Sequence, residues 1–214
     1  MAEGDEPRGI IVRGVGRVAV PPDQATLSLG VEGRAKTAGQ AQAAASTAMT
    51  GLIAALDDLG IVPRDRATTA ITLEATYTYP ADGKPARLSG YQAHQTLEVM
   101  VRDLSRLGAV LDGTIAAGAT QAGSVTLGLI DPSAAADRAR TLAVADALRR
   151  AQVLARAAGV GVGPAMRIAE VPAGPLPGPR PMAMARLAAE AAPTPVEAGS
   201  TTVSVELEVT FAIA

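Results

Sequence analysis

From Gln24 to Arg34 the chain alternates without a break. Ala25, Leu27, Leu29 and Val31 fall on one side, and Thr26, Ser28, Gly30 and Glu32 on the other. A period of two marks a β-strand, and a single apolar row marks a sheet covered on one face only. The same rhythm closes the chain over Ser200–Ala214, where Thr201, Val203, Val205, Leu207, Val209, Phe211 and Ile213 oppose Ser204, Glu206, Glu208 and Thr210. Thr68–Pro80 sets Thr69, Ile71, Leu73, Ala75, Tyr77 and Tyr79 against Thr72, Glu74, Thr76 and Thr78. Gly90–Arg102 answers with an inner row of Tyr91, Ala93, Gln95, Leu97, Val99 and Val101, leaving His94, Thr96 and Glu98 outside. Asp82-Gly83 lies between these two stretches and predicts a hairpin. Ile10–Val20, which contains Gly14-Val15-Gly16 and stops at Pro21-Pro22, Ser124–Ile130 and Ala165–Val171 complete the expected strands.

Three stretches repeat at three and four residues instead. Thr37–Leu59 carries Ala41, Ala45, Ala48, Leu52, Ala55, Leu56 and Leu59, and Asp103–Ala117 carries Leu104, Leu107, Val110, Leu111, Ile115 and Ala116. The longest, from Ser133 to Ala158, repeats alanine at 143, 147, 151 and 155 beside Leu148 and Leu154. Amphipathic helices follow, with Gly60, Gly118 and Gly159 as their stops. Alanine makes up roughly a fifth of the chain, and the aromatic residues are three tyrosines and one phenylalanine. The alanine face of the third helix can therefore lie almost against a neighbouring backbone. The expected class is α+β: a mainly antiparallel sheet with helices packed on one face, in the order β-β-α-β-β-α-β-α-β-β. Residues 24–130 read as β-α-β-β-α-β, with the third helix and last two strands extending the sheet. A single domain over residues 8–214 with two packed subregions is expected, with a flexible tail over 1–7 and a proline-rich loop over 172–195.

Composition removes several functions. A net charge of -2 and the scarcity of aromatic rings argue against nucleic acid. Zero cysteines exclude thiol catalysis, disulfides and thiolate metal sites, and the single histidine, His94, excludes a two-histidine site within one chain. Thr37–Leu56 is uncharged but rich in Ser, Thr and Gln and broken by Gly39 and Gly51, so no membrane span is expected. Met1–Glu6 is acidic and lacks the apolar stretch of a signal peptide.

No constellation points to a catalytic, cofactor or metal site. Gly14-Val15-Gly16 is followed by Ala19 where a dinucleotide fingerprint needs glycine, and by Pro21-Pro22 where it needs a helix. Asp57-Asp58 and the Glu206/Glu208 pair have no aromatic wall to raise a carboxyl pKa. His94 with Glu74 and Glu98 is geometrically legal for a metal, but such residues on an open sheet face are ordinarily solvated. The candidates left are contact surfaces. Tyr77, Tyr79 and Tyr91 gather the aromatic area near one hairpin, and Met182, Met184 and Leu187 form an apolar patch on the proline-rich loop.

Several segments together carry a resemblance. Val12-Arg13-Gly14-Val15-Gly16 precedes Pro22-Asp23-Gln24-Ala25, and Leu59-Gly60-Ile61 leads to Thr68-Thr69 and Tyr77-Thr78-Tyr79-Pro80. Gly90-Tyr91-Gln92-Ala93 and Val101-Arg102-Asp103-Leu104 follow. Ala139-Arg140, Ala143, Ala147, Ala151, Leu154-Ala155 and Gly159 lie on the third helix, and Gly199 precedes the closing strand. From Ile10 to Ile213 the chain resembles the SIMPL-domain family, a domain of unknown function whose bacterial members include periplasmic immunogenic proteins. The resemblance implies a mixed fold in two packed parts, export to the periplasm or cell envelope from a precursor with a leader, and assembly into a homo-oligomer. It implies no catalytic residues. The resulting expectation is a non-enzymatic, self-associating envelope protein with a structural or stress-related role. The alternative is a monomeric or dimeric module binding a small envelope ligand or a protein partner through a pocket bordered by the tyrosines.

Overall fold

The structure, a computed structural model, describes residues 9–79, 85–171 and 194–214. Its elements run β1 (Gly9–Val20), β2 (Gln24–Ala35), α1 (Ala38–Asp58), β3 (Arg66–Thr78), β4 (Arg87–Val101), α2 (Leu107–Ala116), β5 (Gln121–Gly128), α3 (Ser133–Ala158), β6 (Val162–Val171) and β7 (Thr201–Ile213). The class is α+β, and the order of strands and helices is the one the periodicities predict. All strand pairs are antiparallel. They divide between two sheets, β1-β7-β6 and β3-β4-β2-β5, and the chain divides into two compact units accordingly. The third helix and last two strands thus do not extend the β-α-β-β-α-β sheet. β7 pairs along its whole length with β1, from Gly9↔Ala212 to Val20↔Thr201. That pairing, 181 residues or more apart in sequence, has no local signal.

In the unit built on β2, β3, β4 and β5, the alternating rows point where the pattern directs them. Ala25, Leu27, Leu29 and Val31 of β2 meet Leu97, Val99 and Val101 of β4, beneath Met49, Leu52 and Leu56 of α1 and Leu107 and Val110 of α2. Thr37 caps α1 by accepting the Gln40 N–H. Gly60, at φ +74°, takes the left-handed step after it, as Gly118 (φ +95°) and Gly159 (φ +71°) do after the other two helices. At the α1 end nearest Ala41 and Ala45 the helix touches backbone. A side-chain carbon on Gly33 would lie against the Ala41 carbonyl and the Ala45 amide. The one amide side chain of the inner row, Gln95, is buried and donates to the Ser46 hydroxyl of α1 at 3.0 Å.

In the unit built on β1, β6 and β7, the core is thin. Val12 and Val18 of β1 and Val205, Leu207, Val209 and Phe211 of β7 lie under Ala135, Ala139, Ala143, Ala147, Ala151 and Ala155 of α3. Alanine at every fourth residue draws a row inclined to the helix axis. Leu148 and Leu154, beside that row in sequence, consequently lie exposed. The helix rests on Gly14 and Gly16, which face it from β1.

Boundaries shift where local signals are weak. β5 lies earlier than its apolar residues suggest because it pairs from Gly128 back to Gln121 with a bulge opposite β2. Asp103 starts a single 3₁₀ turn, Leu104–Arg106, before α2 proper.

Candidate functional site

The β3–β4 hairpin holds the three tyrosines, but the register separates them. Tyr91 pairs with Ala75 on the side of α1 and packs against Ala41, Ala45 and Ala93. Tyr77 is opposite Leu88, beyond an irregularity at Thr76, and Tyr79 lies past the strand end. Tyr77, Tyr79 and Leu88 are exposed. So is the row that the alternation assigns to an inner face: Ile71 is 59% and Leu73 46% accessible. The reason is position. β3 is an edge strand of its sheet, and α1 spends its apolar stripe on β2 and β4. Sequence alternation specifies which residues share a face, not whether a helix reaches that far. Met182, Met184 and Leu187, the hairpin tip Asp82-Gly83 and the tail over 1–7 lie outside the described residues. The proline-rich loop is described only from Thr194, whose N–H and hydroxyl both donate to the Asp112 carboxylate of α2.

The opposite face of this sheet is polar. His94 lies between Glu32 of β2 and Thr72 of β3, with its Nε2 2.7 Å from the Gln92 amide. Arg34 pairs with Glu32 along β2. Glu74 stands opposite Gln92, whereas Glu98 stands opposite Ala67, so the register keeps the two carboxylates apart. Among the described residues no three such groups gather closely enough to hold a metal ion. Asp57 pairs with Arg66 at 2.7 Å, and Glu206 and Glu208 flank Arg13 at 3.6 and 3.5 Å.

Two features without a sequence signal are better built. The Asp65 carboxylate, buried, takes three hydrogen bonds of 2.6–3.0 Å from the Arg102 guanidinium. Those bonds hold its pKa below the usual carboxylate range. The pair borders an open cleft of about 210 Å³ lined also by Ile61, Val62, Val110, Arg64, Arg106 and Asp103. Arg106 also reaches back to the Leu59 carbonyl at the end of α1. None of the tyrosines lines this cleft. In the other unit, Asp146 of α3 accepts the Val15 N–H of β1 at 3.1 Å and pairs with Arg149 and Arg150. The Val15 amide and the two guanidiniums lower its pKa to about 2. The only local hint is the spacing of Asp146 to two arginines; the partner strand lies 131 residues away.

The profile of a family described as SIMPL, protein of unknown function (DUF541), matches residues 10–211. The chain belongs to the SIMPL family. It is 37% identical over 214 residues to the 26 kDa periplasmic immunogenic protein of Brucella melitensis, an alignment covering 97% of this chain and 86% of that one. It is 34% identical over 163 residues to the uncharacterized protein YggE of Edwardsiella ictaluri, covering 76% and 68%. With YggE of Escherichia coli K12 the identity is 36% over 146 residues, covering 68% and 58%. No helix among the described residues is long and apolar enough to cross a membrane.

Proposed function

We propose that this SIMPL protein is a non-enzymatic, self-associating component of the cell envelope, located in the periplasm. The observation that carries the self-association is the exposed apolar row Ile71, Leu73 and Tyr77 on the edge strand β3. An apolar row on an unshielded strand edge is a surface for another chain, because it offers backbone groups and apolar area together. The Brucella relative, a periplasmic protein by name, supports the compartment. Light scattering or native mass measurement is expected to show a species well above 21.5 kDa. A single chain at every concentration up to the millimolar range overturns the assembly. Fractionation of the native producing cells is expected to place the protein with the periplasmic contents, and recovery in the cytosol overturns the location.

The cleft beside Asp65 favours a second reading, a module for a small anion held by Arg64 and Arg106. At about 210 Å³ the cleft is smaller than ordinary ligand pockets, which begin at about 300 Å³.

A further inference from the structure

Proteins ordinarily protect their sheet edges with charges, prolines, bulges or short strands. The outer strands β1, β6 and β5 show such devices. On β1 the Val15 N–H is occupied by Asp146. β6 contains Pro164, Arg167 and Glu170 and two register shifts. β5 is only eight residues long and is bulged.

β3 differs. It runs for 13 residues with neither lysine nor proline, and its one charge after Arg66 is Glu74. Its pairing with β4 is regular from Ala70 to Thr76. Among the described residues no strand pairs with its other edge. Ile71 and Leu73 lie on the α1 side of the sheet, opposite Gln95 and Ala93, while Thr72 lies on the polar side opposite His94.

We infer that β3 pairs antiparallel with β3 of a second copy across a two-fold axis at Thr72, joining two four-stranded sheets into one of eight. This rests on the self-association proposed above and names its contact. The segment is complementary to itself in that register. Ile71 faces Leu73 of the partner subunit on the apolar side, and Thr72 faces Thr72 of the partner subunit on the polar side. Glu74 faces Ala70 of the partner subunit, four residues from the like charge on the opposing strand. Each cross-strand apolar pair adds to the backbone bonds, and a two-fold contact uses the same patch twice.

The chain has no cysteine, so single-cysteine variants report the register cleanly. Opposed residues of an antiparallel pair have Cα atoms about 4.5–5.5 Å apart, within the range a disulfide spans. Under mild oxidation Thr72→Cys is expected to give a covalent dimer in high yield and Glu74→Cys essentially none. The double variant Ile71→Lys, Leu73→Lys, both exposed in the single chain, is expected to stay folded by circular dichroism and to lose the two-fold contact in native mass measurement. Failure of Thr72→Cys to cross-link while the unaltered protein remains assembled overturns the pairing and leaves self-association standing. Cross-linking at 74 in place of 72 overturns the register. An unaltered protein that is single at every concentration removes both. A pure chain that stays single but gains another protein's strand at β3 assigns the edge to a foreign partner and overturns the self-pairing.

Discussion

The carbonyl of Ala139 in α3 sits directly over Gly16 of β1, with no room between them for a side-chain carbon. Gly14 stands in the same relation to Ala143 and Ala147, where an added carbon would lie 2.7 Å from the Ala147 amide nitrogen. The contact is a helix backbone laid on a strand backbone, made possible by alanine on one side and glycine on the other.

Gly16→Ala is therefore expected to destabilise this unit by about 1–3 kcal/mol, the usual range for overpacking. Gly51→Ala makes the control. Gly51 is exposed within α1 and a carbon added there meets nothing within 4 Å, so the same change is expected to stabilise by roughly 0.5–1 kcal/mol. Urea denaturation of the two variants checks the opposite signs.

Asp146 gives a pH prediction. Its folded pKa of about 2 lies below the ordinary 3.8. A depressed carboxyl pKa means that the folded state binds the proton less readily than the unfolded chain does. Its contribution is whole above about pH 5 and is lost progressively as pH falls through 4 toward 2. Asp146→Asn is expected to lower stability at neutral pH and to flatten that part of the acid limb. Thermal midpoints between pH 2 and 7 measure both effects, and hydrogen exchange at Val15 is expected to accelerate in the variant.

How far the sequence carries is clearest at β2 and β3. Both alternate cleanly, and the faces hold along β2 and from Ala70 to Thr76 of β3. Leu27 and Leu29 are buried because α1 covers them, whereas Ile71 and Leu73 are exposed because nothing in α1 extends that far. Helix stops were equally legible, since Gly60, Gly118 and Gly159 obey a local backbone rule. The division into two sheets was not, because the pairing of β1 with β7 depends on residues at opposite ends of the chain. The Asp65–Arg102 and Val15–Asp146 contacts were hidden for the same reason: each joins separate elements, and neither residue pattern is unusual by itself.

Removing one member of the Asp65–Arg102 pair is predicted to cost more than removing both. Arg102→Ala leaves the Asp65 carboxylate without its three donors, which lowers stability. Adding Asp65→Asn should recover part of that loss, since the amide carries no charge to desolvate. A double-mutant cycle by chemical denaturation reads the coupling. The Asp65 pKa is held down by Arg102, so Arg102→Ala should also remove stability that the unaltered protein loses only as pH falls below the ordinary carboxylate range.

Two alanine substitutions on paired strands separate the core from the contact surface. Leu97 of β4 is 2% accessible and Ile71 of β3 is 59% accessible, though both lie on the α1 side of one sheet. Leu97→Ala removes atoms enclosed by α1, β2 and β4 and leaves a cavity, so a loss of about 2–5 kcal/mol is expected whatever the protein concentration. Ile71→Ala removes atoms that face solvent in the single chain. At high dilution its cost should stay within about 0.5 kcal/mol. If β3 is covered by a second copy, folding is linked to association and the cost of Ile71→Ala must grow as concentration rises. Denaturation midpoints over a hundredfold concentration range distinguish the cases, because an Ile71→Ala effect that is constant and small means that β3 stays open to water.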